Sequence, residues 1–141
     1  MTASADFATT PAFVVRSPAQ QRVPYVFNSP HSGRHYPLRF LAMSKLDAVA
    51  IRRSEDCYVD ELFAGVVDLG APFLTANFPR AYLDANREPW ELDPRMFKNP
   101  LPPYANARSA RVVGGLGTVP RLVGEGQEIY AGKLPLSEAV E

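Results

Sequence analysis

The chain has 141 residues, of which 46% are apolar and 21% charged, and this composition fits a single globular domain with an ordinary core. Fifteen basic residues balance fifteen acidic ones, so the formal net charge is zero. Nucleic acids and anionic membranes select proteins with a basic excess, which argues against both as partners. No apolar run approaches the roughly 20 residues that a membrane-spanning helix needs. A single cysteine, and an N-terminus without a signal-peptide pattern, predict a cytoplasmic protein.

The first part of the chain predicts alternating strands and helices. Residues 1–21 are small and polar around a short apolar stretch, which predicts a flexible arm or a first edge strand. Residues 23–28 predict a buried strand, and residues 37–43 predict a short helical turn. A second helical segment is predicted to begin at Ser44, which suits an N-cap.

The strongest helix signal covers about residues 58–69, where apolar residues recur at i, i+3, i+4, i+7 and i+8. Gly70 suits the position just after a helix, and Pro72 prevents continuation. Further strands are predicted over residues 72–77 and 81–85. The order of strand, helix and strand therefore predicts an α/β fold with a mixed or parallel sheet.

The remainder of the chain begins with a proline-rich stretch over residues 89–103, where regular structure is not expected. A long ordered loop inside a compact domain is usually functional or a linker. Short strands are predicted over residues 111–113 and 118–123, and the start of a helix is predicted over residues 136–140.

His31 and His35 are the two histidines of the chain. His31 follows the first predicted strand within a Ser-Pro-His-Ser-Gly turn, and open α/β sheets bind ligands at the carboxyl ends of their strands. Gly33 and Pro37 disfavour a helix that would bring both imidazoles to one face, so we expect only His31 to face a site. The alternative interpretation is that His31 hydrogen-bonds its own turn and has no further role.

Glu55 and Asp56 precede the strongest helix signal. Acidic residues are favoured in a first helical turn by the helix dipole, so a structural role is one interpretation. The other makes Asp56 a metal ligand beside His31. Zinc hydrolases combine histidine and carboxylate ligands with a water whose pKa falls to about 7.

A third group of polar residues, Arg80, Asp84, Asn86 and Arg87, lies on and after the strand predicted over residues 81–85. The planar guanidinium of arginine matches a carboxylate bidentately, so Arg87 with Asn86 suits recognition of the acidic end of a substrate. The alternative is a surface ion-pair cluster, for example between Asp84 and Arg80.

Taken together, several segments resemble the N-formylglutamate amidohydrolase family. They are residues 29–33 (Ser-Pro-His-Ser-Gly), 54–62 (Ser-Glu-Asp-Cys-Tyr-Val-Asp-Glu-Leu) and 79–89, followed by 115–120 and 129–135. The resemblance runs from about residue 22 to the end. It implies a three-layer α/β/α fold of the zinc-carboxypeptidase type. It also implies hydrolysis of the formyl amide of N-formyl-L-glutamate, or of another N-acyl amino acid, as a late step of one histidine-degradation route.

The resemblance also implies roles for individual residues. His31 and Asp56 would be ligands of Zn²⁺ or a similar divalent ion, with Glu55 a less favoured substitute for Asp56. The residues that would bind the substrate are Arg80, Asp84, Asn86 and Arg87.

Family members are considerably longer and supply a second strand-end histidine and a catalytic glutamate downstream. No catalytic base is therefore assigned within this chain, and the third zinc ligand is expected elsewhere. Residues 22–141 are predicted to be the N-terminal part of one catalytic domain, whose uncovered sheet edge would favour self-association. The alternative function is a non-catalytic remnant that binds acidic small molecules or a protein partner.

Overall fold

The structure of the chain, a computed structural model, describes residues 10–140. Its larger sheet has three strands, β1 (Phe13–Arg16), β2 (Phe27–Ser29) and β3 (Phe73–Ala76), in the order β1-β3-β2. β2 pairs with β3 in parallel, whereas β1 pairs with β3 antiparallel. The sheet is therefore mixed, and the α/β class predicted from the sequence is confirmed.

β3 is the central strand and the most buried of the three. Phe73 is completely buried and Thr75 nearly so, whereas all four residues of β1 are exposed. β1 is thus an edge strand. It lies within residues 1–21, for which a flexible arm or a first edge strand was predicted. Residues 1–9 of that segment lie outside the described residues.

The helix predicted over residues 58–69 is divided in the structure. A short helix, α2 (Val59–Leu62), is followed by a 3₁₀ turn at Ala64–Val66. Tyr58 precedes α2 with a left-handed backbone, φ 62°, which stops the helix from extending backward. Leu62 is 77% exposed, so the apolar face predicted to be buried finds little to pack against. Short helices are stabilised mainly by such packing, and without it the longer helix does not form.

Two predicted strands are absent from the described chain. Residues 81–85 form a turn, because the backbone N–H groups of Tyr82 and Leu83 both donate to the Pro79 carbonyl, at 3.0 and 3.3 Å. Residues 111–113 belong to a helix, α3 (Ala110–Val113), whose first turn is capped by Ser109 Oγ accepting from the backbone N–H of Val112 at 3.2 Å. Local capping outweighs the β propensity of the valines here.

The remaining elements are short. Helix α1 (Leu38–Met43) matches the predicted helical turn, and Ser44 ends it rather than beginning another helix. A 3₁₀ turn follows at Ala50–Arg52, and Asp47 before it accepts hydrogen bonds from the backbone N–H groups of Val49 and Ala50. The elements that complete the chain are β4 (Leu122–Val123), antiparallel to β5 (Gln127–Glu128), and α4 (Ser137–Val140). None of the helices within residues 10–140 has the length and apolar character to cross a membrane.

Two apolar clusters form the core. One joins α1 to the β4–β5 hairpin through Phe40, Ile51, Ala81, Val123 and Ile129. The other anchors the proline-rich stretch through Leu92, Met96, Phe97, Val119 and Leu134. Each large side chain buried in this way contributes about 1.5–3 kcal/mol, which explains how a stretch without regular structure stays ordered.

Candidate functional site at His31

The imidazole of His31 lies between two carboxylates. Its Nδ1 is 3.2 Å from Asp56 Oδ2, and its Nε2 is 2.8 Å from Asp84 Oδ1. His31 and Asp84 are buried, whereas the side chain of Asp56 is about half exposed. The three residues come from distant parts of the sequence. Together they form a histidine held at both ring nitrogens, open to solvent on the side of Asp56.

Hydrogen bonds between two turns fix the position of Asp56 relative to His31. The backbone N–H of Asp56 donates to the His31 carbonyl at 3.1 Å, and Ser32 Oγ donates to the Asp56 carbonyl at 2.8 Å. The Ser32 hydroxyl is itself 2.6 Å from Ser29 Oγ at the end of β2. Both serines are buried, so these hydrogen bonds are shielded from water. The backbone around the site is therefore rigid.

Gly33 lets the His31 turn pack closely on the chain that follows β3. A Cβ at this position would collide with the backbone of Asn77 and Phe78. Two residues after Gly33, the backbone N–H of His35 donates a hydrogen bond to the Asn77 carbonyl at 2.9 Å, which joins the same two segments. The side chain of His35 lines a separate cavity beside Asp60 rather than joining His31.

Asp84 collects the largest number of polar contacts at the site. Besides His31, its carboxylate accepts from Arg80 Nε at 3.1 Å and from the backbone N–H of Asn86 at 3.0 Å, and Arg87 Nε lies 3.6 Å away. Burial raises the pKa of Asp84, but the hydrogen bonds from His31 and Asn86 and the charge of Arg80 outweigh it and bring the pKa to about 2. Asp84 is therefore ionised at neutral pH.

The two adjacent acids, Glu55 and Asp56, face different surroundings. Glu55 accepts from the Tyr36 hydroxyl at 2.5 Å and from Arg52 Nη2 at 2.9 Å, and its side chain is only 1% exposed. Burial, together with the hydrogen bond to Glu55, raises the pKa of Tyr36 above its ordinary value. Of these two neighbouring acids, Asp56 is the one whose carboxylate contacts His31.

Arg87 is fixed beside Asp84 by backbone oxygens. Its Nε donates to the Leu116 carbonyl at 3.3 Å and its Nη1 to the Asn86 carbonyl at 2.5 Å. Asn86 contributes its backbone to the site, while the residue as a whole is exposed. The structure thus gathers Arg80, Asn86 and Arg87 around Asp84, which is the residue of the third polar group that contacts His31.

Two cavities adjoin Asp84. One of about 390 Å³ is lined by Arg87, Trp90 and Thr118. The other, of about 350 Å³, is lined by Arg80 and Ser54 and by residues of the 120–126 loop. Within the described residues, the buried hydroxyl of Ser54 has no hydrogen-bond partner. Both volumes lie in the range of about 300–1,000 Å³ that is typical of small-molecule sites.

The residues present account for part of a zinc site. Two ligands of one tetrahedral zinc ion, each about 2.0–2.1 Å from it, lie about 3.3 Å apart, close to the 3.2 Å between His31 Nδ1 and Asp56 Oδ2. A carboxylate on the other ring nitrogen, as Asp84 provides, is the usual partner of a metal-binding histidine. Within residues 10–140, however, no three His, Cys, Asp or Glu side chains are grouped to hold a metal ion.

Four residues around this site were given no role from the sequence. They are Ser29, Ser32, Tyr36 and Ser54. Ser29 and Ser32 lie near His31 in a tight turn, and serines in such turns commonly hydrogen-bond nearby groups, so this role could be predicted from the sequence. The contact between Tyr36 and Glu55 carries no such signal, because it depends on how two turns meet in space.

Comparisons with known proteins identify the family of the chain. The family model for N-formylglutamate amidohydrolase matches residues 23–141. The crystal structure of N-formylglutamate amidohydrolase from Ralstonia eutropha JMP134 superposes with a TM-score of 0.81 and 32% sequence identity. The superposition covers 92% of this chain but 45% of that one, so this chain spans less than half the length of its relative. No curated protein matches the chain. On these grounds, the chain belongs to the N-formylglutamate amidohydrolase family.

Proposed function

We propose that this chain carries part of the active site of an enzyme that hydrolyses N-formyl-L-glutamate to formate and L-glutamate. In this reaction the amide C–N bond breaks, the oxygen of water stays with formate, and the nitrogen of glutamate takes a proton. The observation that carries the proposal is the contact of His31 with Asp56 on one side and Asp84 on the other. The family match supports the substrate class.

His31 Nδ1 and Asp56 Oδ2 are the atoms that would hold Zn²⁺ or a similar divalent ion. When bound, such an ion lowers the pKa of a water molecule and polarises the scissile carbonyl. Asp84 is ionised and would accept a hydrogen bond from Nε2–H, which would leave the lone pair of His31 on Nδ1 for the metal. A three-ligand site would draw its third ligand, and the reaction its general base, from outside residues 10–140.

The acidic part of the substrate is proposed to bind at Arg87. Its guanidinium is fixed by two backbone carbonyls at the wall of the 390 Å³ cavity, so little conformational entropy is lost when a carboxylate binds. Asn86 would assist, and Arg80 would make a supporting contact from the neighbouring cavity. The unpartnered Ser54 hydroxyl in that neighbouring cavity offers a further donor, since an unsatisfied buried hydroxyl costs about 1–3 kcal/mol.

The proposal extends to the rest of the fold and to its setting. We expect a three-layer α/β/α arrangement of the zinc-carboxypeptidase type, a cytoplasmic location and a late step in histidine degradation. The edge of β2 that faces away from β3 has no strand partner within residues 10–140. Further strands of the family fold, or a second copy of the chain, would pair there.

The test is to purify the chain, load it with Zn²⁺, and measure both zinc content and formate release from N-formyl-L-glutamate. His31→Ala and Asp56→Ala should each abolish zinc retention, because each removes one of the two ligands. His35→Ala, at the other histidine, is the matched control and should keep the wild-type zinc content. Unchanged zinc content in both ligand variants would remove the metal assignment.

The guanidinium of Arg87, fixed at the wall of the 390 Å³ cavity, also favours one second candidate: a non-catalytic protein that binds acidic small molecules or a partner. L-Glutamate binding by calorimetry, without formate release in the presence of zinc, would support this candidate. Formate release that depends on His31 would support the hydrolase.

A further inference from the structure

A separate cavity of about 200 Å³ has strongly basic walls. It shares no lining residue with the two cavities beside Asp84. Its cationic side chains are Lys45, Arg95, Arg121 and Lys133, and Glu128 is the one acidic residue among its lining residues. We call it the basic cavity. The chain as a whole is electrically neutral, so this concentration of positive charge is local.

Two of the cationic side chains, Arg95 and Arg121, are held in place by the buried carboxylate of Asp93, which does not itself line the cavity. The carboxylate accepts from Arg95 Nε at 2.9 Å and Nη2 at 2.8 Å, and from Arg121 Nε at 2.9 Å. Burial raises the pKa of Asp93, but the hydrogen bonds from Arg95 and Arg121 keep it below its ordinary value. Both guanidinium groups are therefore positioned before any ligand arrives, which lowers the entropic cost of binding.

The internal ion pairs leave the basic cavity with excess positive charge. Glu128 is shared between Lys45, at 2.9 Å, and Arg121, at 3.1 Å. Asp93 and Glu128 together therefore neutralise two of the four cations. The remaining excess is two positive charges around one small space.

Two hydrogen-bond donors at the cavity have no partner of their own. Within residues 10–140, neither the ammonium of Lys133 nor the hydroxyl of Tyr130 takes part in a hydrogen bond. Burial raises the pKa of Tyr130, so its hydroxyl keeps its proton. Gly132, between them, borders open space, since a Cβ there would meet nothing within 4 Å. Lys133 is exposed and can turn to a ligand, whereas the ring of Tyr130 is held by the core and its hydroxyl is a donor of fixed position.

Size and charge together define the ligand. A cavity of about 200 Å³ is smaller than the roughly 300–1,000 Å³ of usual small-molecule sites, which favours a small ligand. Guanidinium and ammonium groups bind oxyanions through short charge-assisted hydrogen bonds. We infer that the basic cavity binds a small oxyanion with two negative charges, either phosphate or a short dicarboxylate. This inference is independent of the hydrolase activity.

The experiment is calorimetric titration of the full chain with inorganic phosphate and, separately, with succinate, at constant ionic strength set with sodium chloride. Lys133→Gln should weaken binding by about tenfold or more, the effect of losing one charge-assisted hydrogen bond. Lys133 has no partner in the described fold, so the variant is expected to fold normally. Lys98→Gln is the matched control, because Lys98 is exposed and does not line the cavity.

The two titrations distinguish the sources of the anion. Binding of phosphate alone indicates that the ligand is a tetrahedral oxyanion, and binding of succinate alone indicates a dicarboxylate. Binding of both indicates that the site selects its ligand by charge and not by shape. Each of these supports the inference when Lys133→Gln weakens the binding. The inference is overturned if neither anion binds more tightly than chloride, or if Lys133→Gln and Lys98→Gln weaken binding equally.

Discussion

Asp84 and Asp93 are two aspartates with nearly the same burial and different surroundings. Each is 1% exposed, and each accepts hydrogen bonds from arginine side chains. The pKa of each is below its ordinary value, although burial alone raises it. By burial, charge and pKa, the two carboxylates are hard to tell apart.

The difference lies in what their partners can still do. The side-chain partners of Asp93 are guanidinium groups, and its carboxylate also caps the 3₁₀ turn at Pro94–Met96. Asp84 holds His31 by one ring nitrogen, and the other nitrogen faces a half-exposed carboxylate, Asp56. A buried acid thus becomes a candidate for function when it orients a group that retains a free coordination position.

The largest expected effect is on stability, at Asp93. Asp93→Asn leaves Arg95 without its counter-charge and Arg121 with Glu128 alone, and breaking a buried ion pair in this way costs about 3–5 kcal/mol. Because Arg95 is half exposed, we expect about 3 kcal/mol. Urea unfolding followed by the fluorescence of Trp90, the one tryptophan of the chain, measures it. A loss below about 1 kcal/mol would show that Asp93 is not the structural member of the pair.

The next largest expected effect is on zinc affinity, which should depend on Asp84 and not on Asp93. Asp84→Asn should weaken zinc affinity by about 10–100-fold, as loss of the carboxylate behind a metal-binding histidine generally does. Asp93→Asn, measured under conditions where it remains folded, should leave zinc affinity unchanged. Competition with a chromophoric chelator gives both values. Equal losses in the two variants would contradict the assignment of Asp84 as the orienting carboxylate.

Elements with strong local signals were predictable from the sequence. β3 and α1 coincide with short apolar runs that were predicted as a strand and a helical turn, and their positions are confirmed, as is the helical start predicted over residues 136–140. The prediction of one helix over residues 58–69 was only partly right, because α2 and a 3₁₀ turn divide the segment. Leu62 and Phe63 on its apolar face stay largely exposed, and periodicity alone does not stabilise a helix. The strand at 111–113 was wrong because the cap at Ser109 is a stronger local determinant than two β-branched residues.

The site shows the same limit at the level of side chains. His31 and the residues around Asp84 were selected from their positions after apolar runs, and Asp56 from its position before the strongest helix signal. The structure brings His31, Asp56 and Asp84 into contact. The sequence left Glu55 and Asp56 as alternatives, since neighbouring carboxylates differ only in their spatial partners, and Tyr36 takes Glu55. It also grouped Asp84 with the substrate-binding residues, because a contact across 53 residues leaves no trace in local spacing.

A smaller effect follows from the pKa of Asp84, which is about 2 in the folded chain against an ordinary value of 3.8. Because the folded pKa is the lower one, the stabilisation is complete above about pH 4 and is lost as the pH falls toward 2, by about 2 kcal/mol. Asp84→Asn should remove this part of the acid dependence. Unfolding free energies at pH 7, 4 and 2.5, compared between wild type and variant, test it, and parallel curves would contradict it.

The smallest expected effect is on substrate affinity, at Arg87. Like His31, Arg87 lies beside the Asp84 carboxylate, but it is proposed to contact the substrate. Arg87→Ala should raise KM for N-formyl-L-glutamate, or Kd for L-glutamate, by about tenfold, with a smaller change in kcat, because the guanidinium binds a part of the substrate that does not react. Arg108→Ala, at an exposed arginine that lines neither cavity beside Asp84, is the matched control. If Arg87→Ala instead lowers kcat and leaves KM unchanged, Arg87 belongs with Asp84 in orienting His31, and the substrate carboxylate has to be sought at Arg80.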